Sequence, residues 1–201
     1  MPVTRGQIQA ALQPLRPDMA ETILDTKLTR IERVPCPGLR RYEVFAVTRL
    51  DPYKPVLNYI GFAAGEPAFS LSQDPEAFVA MAKADGASID SAEVAAGYAE
   101  ALVTVTRPLT KLAYVVKSFA DLRFRPKLSA AEEQAKADAR AEFGGRITAP
   151  EAGPEGKGYR VVIYFVIEAE LRRLAISVAR DGAVDAASET LGTGLPLVGG
   201  V

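Results

Sequence analysis

The 201-residue sequence contains no histidine, no tryptophan and a single cysteine, Cys36. Without an imidazole there is no Ser-His-Asp or Cys-His nucleophile system, because the general base is missing. His-ligated zinc, copper, haem and non-haem iron are excluded on the same ground. One thiol excludes four-cysteine zinc sites, cysteine-held iron–sulfur clusters and an intrachain disulfide. Chemistry, if the chain performs any, rests on Asp, Glu, Lys, Arg, Tyr, Ser or Thr. No charge sign dominates either. The formal net charge is -1, which argues against broad electrostatic binding to nucleic acid or an anionic membrane. No apolar run approaches the length of a spanning helix, and MPVTRGQIQAAL has no signal-peptide core. The expectation is a cytoplasmic protein with no metal and no cofactor.

What is present is an ordinary globular composition, 48% hydrophobic. Thr4-x-x-Gln7 fits a capping box, and Ile8, Ala11, Leu12 and Leu15 share one helical face. A second short turn is expected from Pro17 to Leu24. Residues 27–34 alternate as a strand, and Pro35-Cys36-Pro37-Gly38 is a turn. Strands are expected over Tyr42–Leu50 and Leu57–Ala64, with a shorter one from Pro67 to Leu71. Asp74-Pro75-Glu76 opens a helix that Gly86 stops. Asp90-x-x-Glu93 opens another, ended by Pro108. Leu112, Val115, Val116, Phe119 and Leu122 fall on one stripe, so 110–124 reads as a helix, although Tyr114–Val116 has strong β-propensity. Ser129-x-x-Glu132 begins a helix that Gly144 and Gly145 end, with Ala131, Ala135, Ala139 and Phe143 inward. A short strand at Arg146–Ala149, a loop at Pro150–Gly158, a long ribbon at Tyr159–Gly182 and a strand at Ala183–Leu191 follow. The tail GTGLPLVGGV reads as loose.

The two ends therefore share an order of elements. Shifting Tyr42–Gly65 by 117 residues onto Tyr159–Gly182 matches Tyr42 with Tyr159, Val44 with Val161, Leu57 with Leu174 and Gly65 with Gly182. Four identities do not establish a duplication, and helix-plus-meander is a common arrangement. The chain divides into a helix-plus-meander unit at 1–73, a helical insert at 74–127, a second unit at 128–192 and a tail at 193–201, all able to share one compact domain. The fold class is α+β, with antiparallel sheets packed by helices. This order resembles a cystatin-like architecture, a helix on a curved sheet, without a family motif.

Candidate sites follow from residue type. Tyr42 and Tyr159 start equivalent ribbons and are candidate ligand-binding phenols, set against packing at a core edge. Val161–Ile167 is apolar at every position, so both strand faces need cover. Val161, Ile163, Phe165 and Ile167 are therefore the candidate interface of a homodimer. Lys111, Lys117, Arg123, Arg125 and Lys127 interleave with Tyr114, Phe119 and Phe124, a pattern that suits phosphate backbones and base stacking. The counter-reading is a solvated basic face opposite the acidic 51–100 segment. Glu168 and Glu170, two apart, suit paired acid–base chemistry or exposed ion pairs with Arg172 and Arg173. Cys36 is a redox-active or thiolate-ligand candidate, or an incidental loop residue. The reading is a non-enzymatic binding or interaction module, homodimeric, with an unknown protein or small-molecule ligand. The alternative is an enzyme or carrier with an Asp/Glu/Tyr/Lys pocket between sheet and helices, and the third is weak nucleic-acid binding through 111–127.

Overall fold

The computed structural model describes residues 3–51 and 53–199. Two antiparallel sheets alternate with three helical layers. The N-terminal sheet has the order β1 (Thr29–Val34), β2 (Glu43–Arg49), β3 (Val56–Phe62), β4 (Phe69–Ser70). The C-terminal sheet has the order β5 (Ala113–Val116), β7 (Gly158–Ile167), β8 (Glu170–Val178), β9 (Val184–Gly192). Its β6 (Glu151–Glu155) pairs with the other half of the same β7 edge that β5 uses.

Helix α1 (Arg5–Leu12) begins at the capping box formed by Thr4 and Gln7. It, α2 (Pro17–Ala20) and the turn that follows bury Ile8, Leu12, Met19, Ala20 and Ile23 against Phe45, Val47, Ile60 and Phe62 on the outer face of the N-terminal sheet. The opposite face carries Tyr42, Val44, Ala46 and Tyr59 and meets α3 (Pro75–Asp85) and α4 (Ala92–Thr106). Those helices lie between the sheets, because Val161, Ile163, Phe165, Ile176 and Val178 of the C-terminal sheet join the same cluster. The far face of that sheet packs Tyr164, Val166 and Leu171 beneath Ala139 and Phe143 of α5 (Ala130–Phe143).

Helix α3 is capped by the Asp74 carboxylate, which accepts from Ala77 N, and ends at Gly86 with φ 69°. Its last residue fastens the N-terminal sheet to the middle layer. The buried Asp85 carboxylate accepts from the backbone N–H groups of Arg40, Arg41 and Tyr42 at 2.6, 2.7 and 2.7 Å. Three convergent donors supply the solvation that a buried carboxylate needs.

Several expectations are corrected. Residues 110–124 form strand β5 and a single 3-10 turn at Phe119–Asp121, not a helix. The β-branched pair Val115 and Val116 completes the β7 edge, and that pairing outweighs the helical stripe. The fourth helix starts from Ser91, not Asp90. The short strand expected at 146–149 lies instead at β6, where a loop was expected. Glycine and proline are tolerated there because β6 is ladder-bonded on one side only. The tail is fastened rather than loose. Leu195 and Leu197 are buried, and Arg125 N donates to Pro196 O.

The two meanders keep the same strand order and the same inward faces, but not the uninterrupted 117-residue register. Shifted by 117, Glu43 falls on Arg160 and Phe62 on Ala179, whereas Arg160 pairs with Ser177. The difference sits in the hairpins: residues 50–55 join β2 to β3, and residues 168–169 join β7 to β8.

Candidate functional site

The feature with an open binding capacity is β9. It bonds to β8 on one side, and among the described residues no backbone partner occupies its other side. Residues 185–190 are all exposed, so neither face of the strand is covered at its centre. Nine residues make it the longest edge strand of the protein. Natural edges are usually shortened, interrupted by proline or guarded by charge. The other edges follow that rule. Strand β1 carries Arg30, Glu32 and Arg33, β6 contains Pro154, and β4 and β5 are short, with two and four residues. Strand β9, VDAASETLG, has no proline, lysine or arginine, and its only charges are the two acids Asp185 and Glu189.

Both ends of β9 are anchored. At the start, Tyr98 of α4 donates its hydroxyl to Gly182 O at 2.8 Å, and Ile89 N donates to Arg180 O at 2.9 Å. Burial, then the nearby Cys36, Asp181 and Asp85, push the Tyr98 phenol pKa up, so it stays a donor. Gly182 has φ 84°, and a β-carbon there would stand 2.9 Å from the Tyr98 oxygen and 3.2 Å from Ala87 Cβ, so this turn requires glycine. At the far end a β-carbon on Gly192 would lie 3.2 Å from the Phe143 ring, and Leu195 N donates to Ala169 O at 3.1 Å. The strand is thus held extended between two docked ends, with a free middle.

The ladder is regular over 184–190. Arg172 pairs with Thr190 and Leu171 with Gly192, so Leu191 is the extra residue of a bulge. Over this stretch Asp185, Ala187 and Glu189 point to one face. Their β8 partners are Ser177, Ala175 and Arg173. Glu189 lies 3.7 Å from Arg173 yet keeps 61% of its side chain exposed. The Ser177 hydroxyl is committed to Glu155 at 2.6 Å, and this bond, then Arg160, lowers the Glu155 pKa. Asp185 therefore faces solvent without a side-chain partner from β8. An open cleft of about 670 Å³ adjoins this end of the strand, lined by Tyr159, Val178, Arg180, Val184 and Asp185.

The sequence-derived candidates fall elsewhere. Tyr42 is buried and donates its hydroxyl to Pro67 O at 2.8 Å. Tyr159 donates to Asp90 O at 2.9 Å, with Arg180 over its ring at 5.8 Å. Each phenol fastens a loop, and the two line separate clefts. Val161, Ile163 and Phe165 are buried against the middle helices, and Ile167 packs beside them. Tyr164 and Val166, between them in sequence, are covered from the α5 side. Both covers that the apolar strand demands come from the same chain, so this strand supplies no reason for a second copy.

The basic segment is largely neutralised. Lys111 pairs with Glu168 at 3.2 Å, Lys117 with Glu100 at 2.6 Å and Arg125 with Glu132. Arg123 lies 4.4 Å above the Tyr114 ring, while Lys127 is exposed. Lys136 and Arg140 cover Phe124 and Phe119, so cations already occupy faces that a base would stack upon. Glu168 sits in the β7–β8 turn with φ 56°, off the strand, so it shares no strand face with Glu170. Glu170 binds Arg172 at 2.6 Å. Cys36 packs against the middle core, and burial, then the Asp85 charge, push its pKa up to about 12, so its thiolate is suppressed. No cluster of three His, Cys, Asp or Glu side chains suited to a metal occurs among the described residues.

The signal for β9 in the sequence is a strand-length segment without alternation of apolar and polar residues, between Gly182 and Gly192. Comparison of the chain with protein-family models, with curated proteins and with solved structures finds no match.

Proposed function

We propose that this protein is a non-enzymatic protein-interaction module that captures an extended segment of its partner by strand addition along β9. The observation that carries the reading is the open edge itself: nine residues without proline, anchored at both ends and exposed on both faces over residues 185–190. Strand addition draws affinity from main-chain hydrogen bonds, which an unpaired edge offers in a row. Preformed anchors remove ordering cost on this side of the interface. The cleft at Tyr159 and Val184 extends the same surface and suits a side chain at the end of the incoming strand.

The test uses adjacent Ala186 and Ala187. In an antiparallel ladder their N–H groups alternate between β8 and the open side. Proline on the outward-pointing position removes one docking donor and leaves the β8 ladder whole. A labelled seven-residue strand peptide, Thr-Lys-Val-Thr-Val-Lys-Thr, is titrated by fluorescence anisotropy. The folded proline variant is expected to lose binding by tenfold or more. Binding unchanged in that variant contradicts the reading.

A further inference from the structure

The open edge of β9 carries its own rule about what it accepts. Its regular stretch is Val184–Thr190, because the bulge at Leu191 interrupts the ladder beyond it. A second copy of the chain that paired all seven of these residues antiparallel would be centred on Ala187. That register sets Asp185 of each copy opposite Glu189 of the other, twice across the symmetry axis. Residues directly opposite in an antiparallel pair share a face and stand about 5 Å apart, and like charges there oppose pairing. The two acids are therefore placed where self-pairing would bring them together. The same two carboxylates are four residues apart on one face, exposed, with Asp185 free of a side-chain partner from β8. Arg173 reaches Glu189 only from the β8 side, at 3.7 Å.

From this juxtaposition we infer that β9 selects an extended partner segment carrying two basic side chains four residues apart, one opposite Asp185 and one opposite Glu189, and rejects a second copy of itself. This rests on the strand-addition reading above. Main-chain bonds along 184–190 hold the segment in either direction, since a symmetric spacing of four meets both acids whether the strands run parallel or antiparallel. The residue between the two cations faces Ala187, whose small side chain admits a β-branched or aromatic group. The charges supply preference and screening sensitivity rather than most of the affinity.

Two experiments test it. In the first, Thr-Lys-Val-Thr-Val-Lys-Thr and Thr-Glu-Val-Thr-Val-Glu-Thr are titrated against the full chain by anisotropy at low salt. The basic peptide is expected to bind roughly tenfold tighter or better, and the ratio is expected to shrink toward one at about 0.5 M salt. Equal affinities overturn the charge rule and leave strand addition standing. Failure of both peptides to bind overturns strand addition together with it. In the second, Asp185→Lys is examined by size-exclusion chromatography with light scattering. The substitution turns both acid–acid contacts of the self-paired register into lysine–glutamate contacts. The wild-type chain is expected to remain monomeric at micromolar concentration and Asp185→Lys to dimerise, with about a tenfold or greater gain in self-association. Asp185→Lys combined with Glu189→Lys restores repulsion and is expected to return to monomer. A wild-type dimer, or an Asp185→Lys chain no more associated than wild type, contradicts the inference.

Discussion

Replacing Asp85 with alanine removes the joint between the N-terminal sheet and the middle helices. The carboxylate accepts three backbone hydrogen bonds, from Arg40, Arg41 and Tyr42, at 2.6–2.7 Å. The Tyr42 N–H is buried, so losing its acceptor costs about 1–3 kcal/mol. The Arg40 and Arg41 N–H groups are partly exposed and regain water, at about 0.5–1 kcal/mol each. The sum is about 2–5 kcal/mol, a large share of the 5–15 kcal/mol typical of a folded domain. Urea unfolding followed by circular dichroism reads this as a midpoint lowered by roughly 1–2 M at unchanged slope. Asp85→Asn keeps the shape and one acceptor oxygen and is expected to lose about half as much. An Asp85→Ala chain within about 0.5 kcal/mol of wild type refutes the account of this joint.

Tyr98→Phe removes the donor to Gly182 O and is expected to cost about 1–2 kcal/mol, with faster amide exchange at residues 180–184. Gly182→Ala forces a β-carbon against the Tyr98 oxygen at φ 84° and is expected to destabilise the chain more than Tyr98→Phe does, measured by thermal unfolding. The Cys36 thiol has a folded pKa raised to about 12, so its contribution is present below the ordinary thiol range and is lost as pH rises from about 9 toward 12. Native Cys36 is accordingly expected to react with a thiol reagent at pH 8 far more slowly than the urea-unfolded chain, and equal rates contradict the suppression of its thiolate.

The sequence made most of the scaffold legible, for identifiable reasons. Thr4, Asp74 and Ser129 are side-chain caps whose local hydrogen bonds act within three residues, so their helices start where the pattern places them. The hairpin strands around Val44 and Val161 follow from apolar runs bounded by turn residues. Elements fixed by pairing at long range were less legible. Residues 113–116 are a strand because β7 offers them an edge more than forty positions away in sequence. Strand β6 contains Gly153 and Pro154 and has no apolar pattern to announce it. The apolar strand at Val161–Ile167 correctly demanded two covers, but nothing in its own residues says that α5 supplies the second. The same limit hid β9 as a site, since an open edge is defined by the neighbour that is missing.

The central claim is that β9 is a docking edge. Its most direct test is the backbone amide spectrum of the full chain, titrated with Thr-Lys-Val-Thr-Val-Lys-Thr. The account predicts resonance shifts and slowed hydrogen exchange concentrated at residues 184–190, strongest at alternate positions whose N–H groups point outward. Saturation of binding with β9 amides unmoved, or with shifts centred elsewhere on the protein, would contradict it.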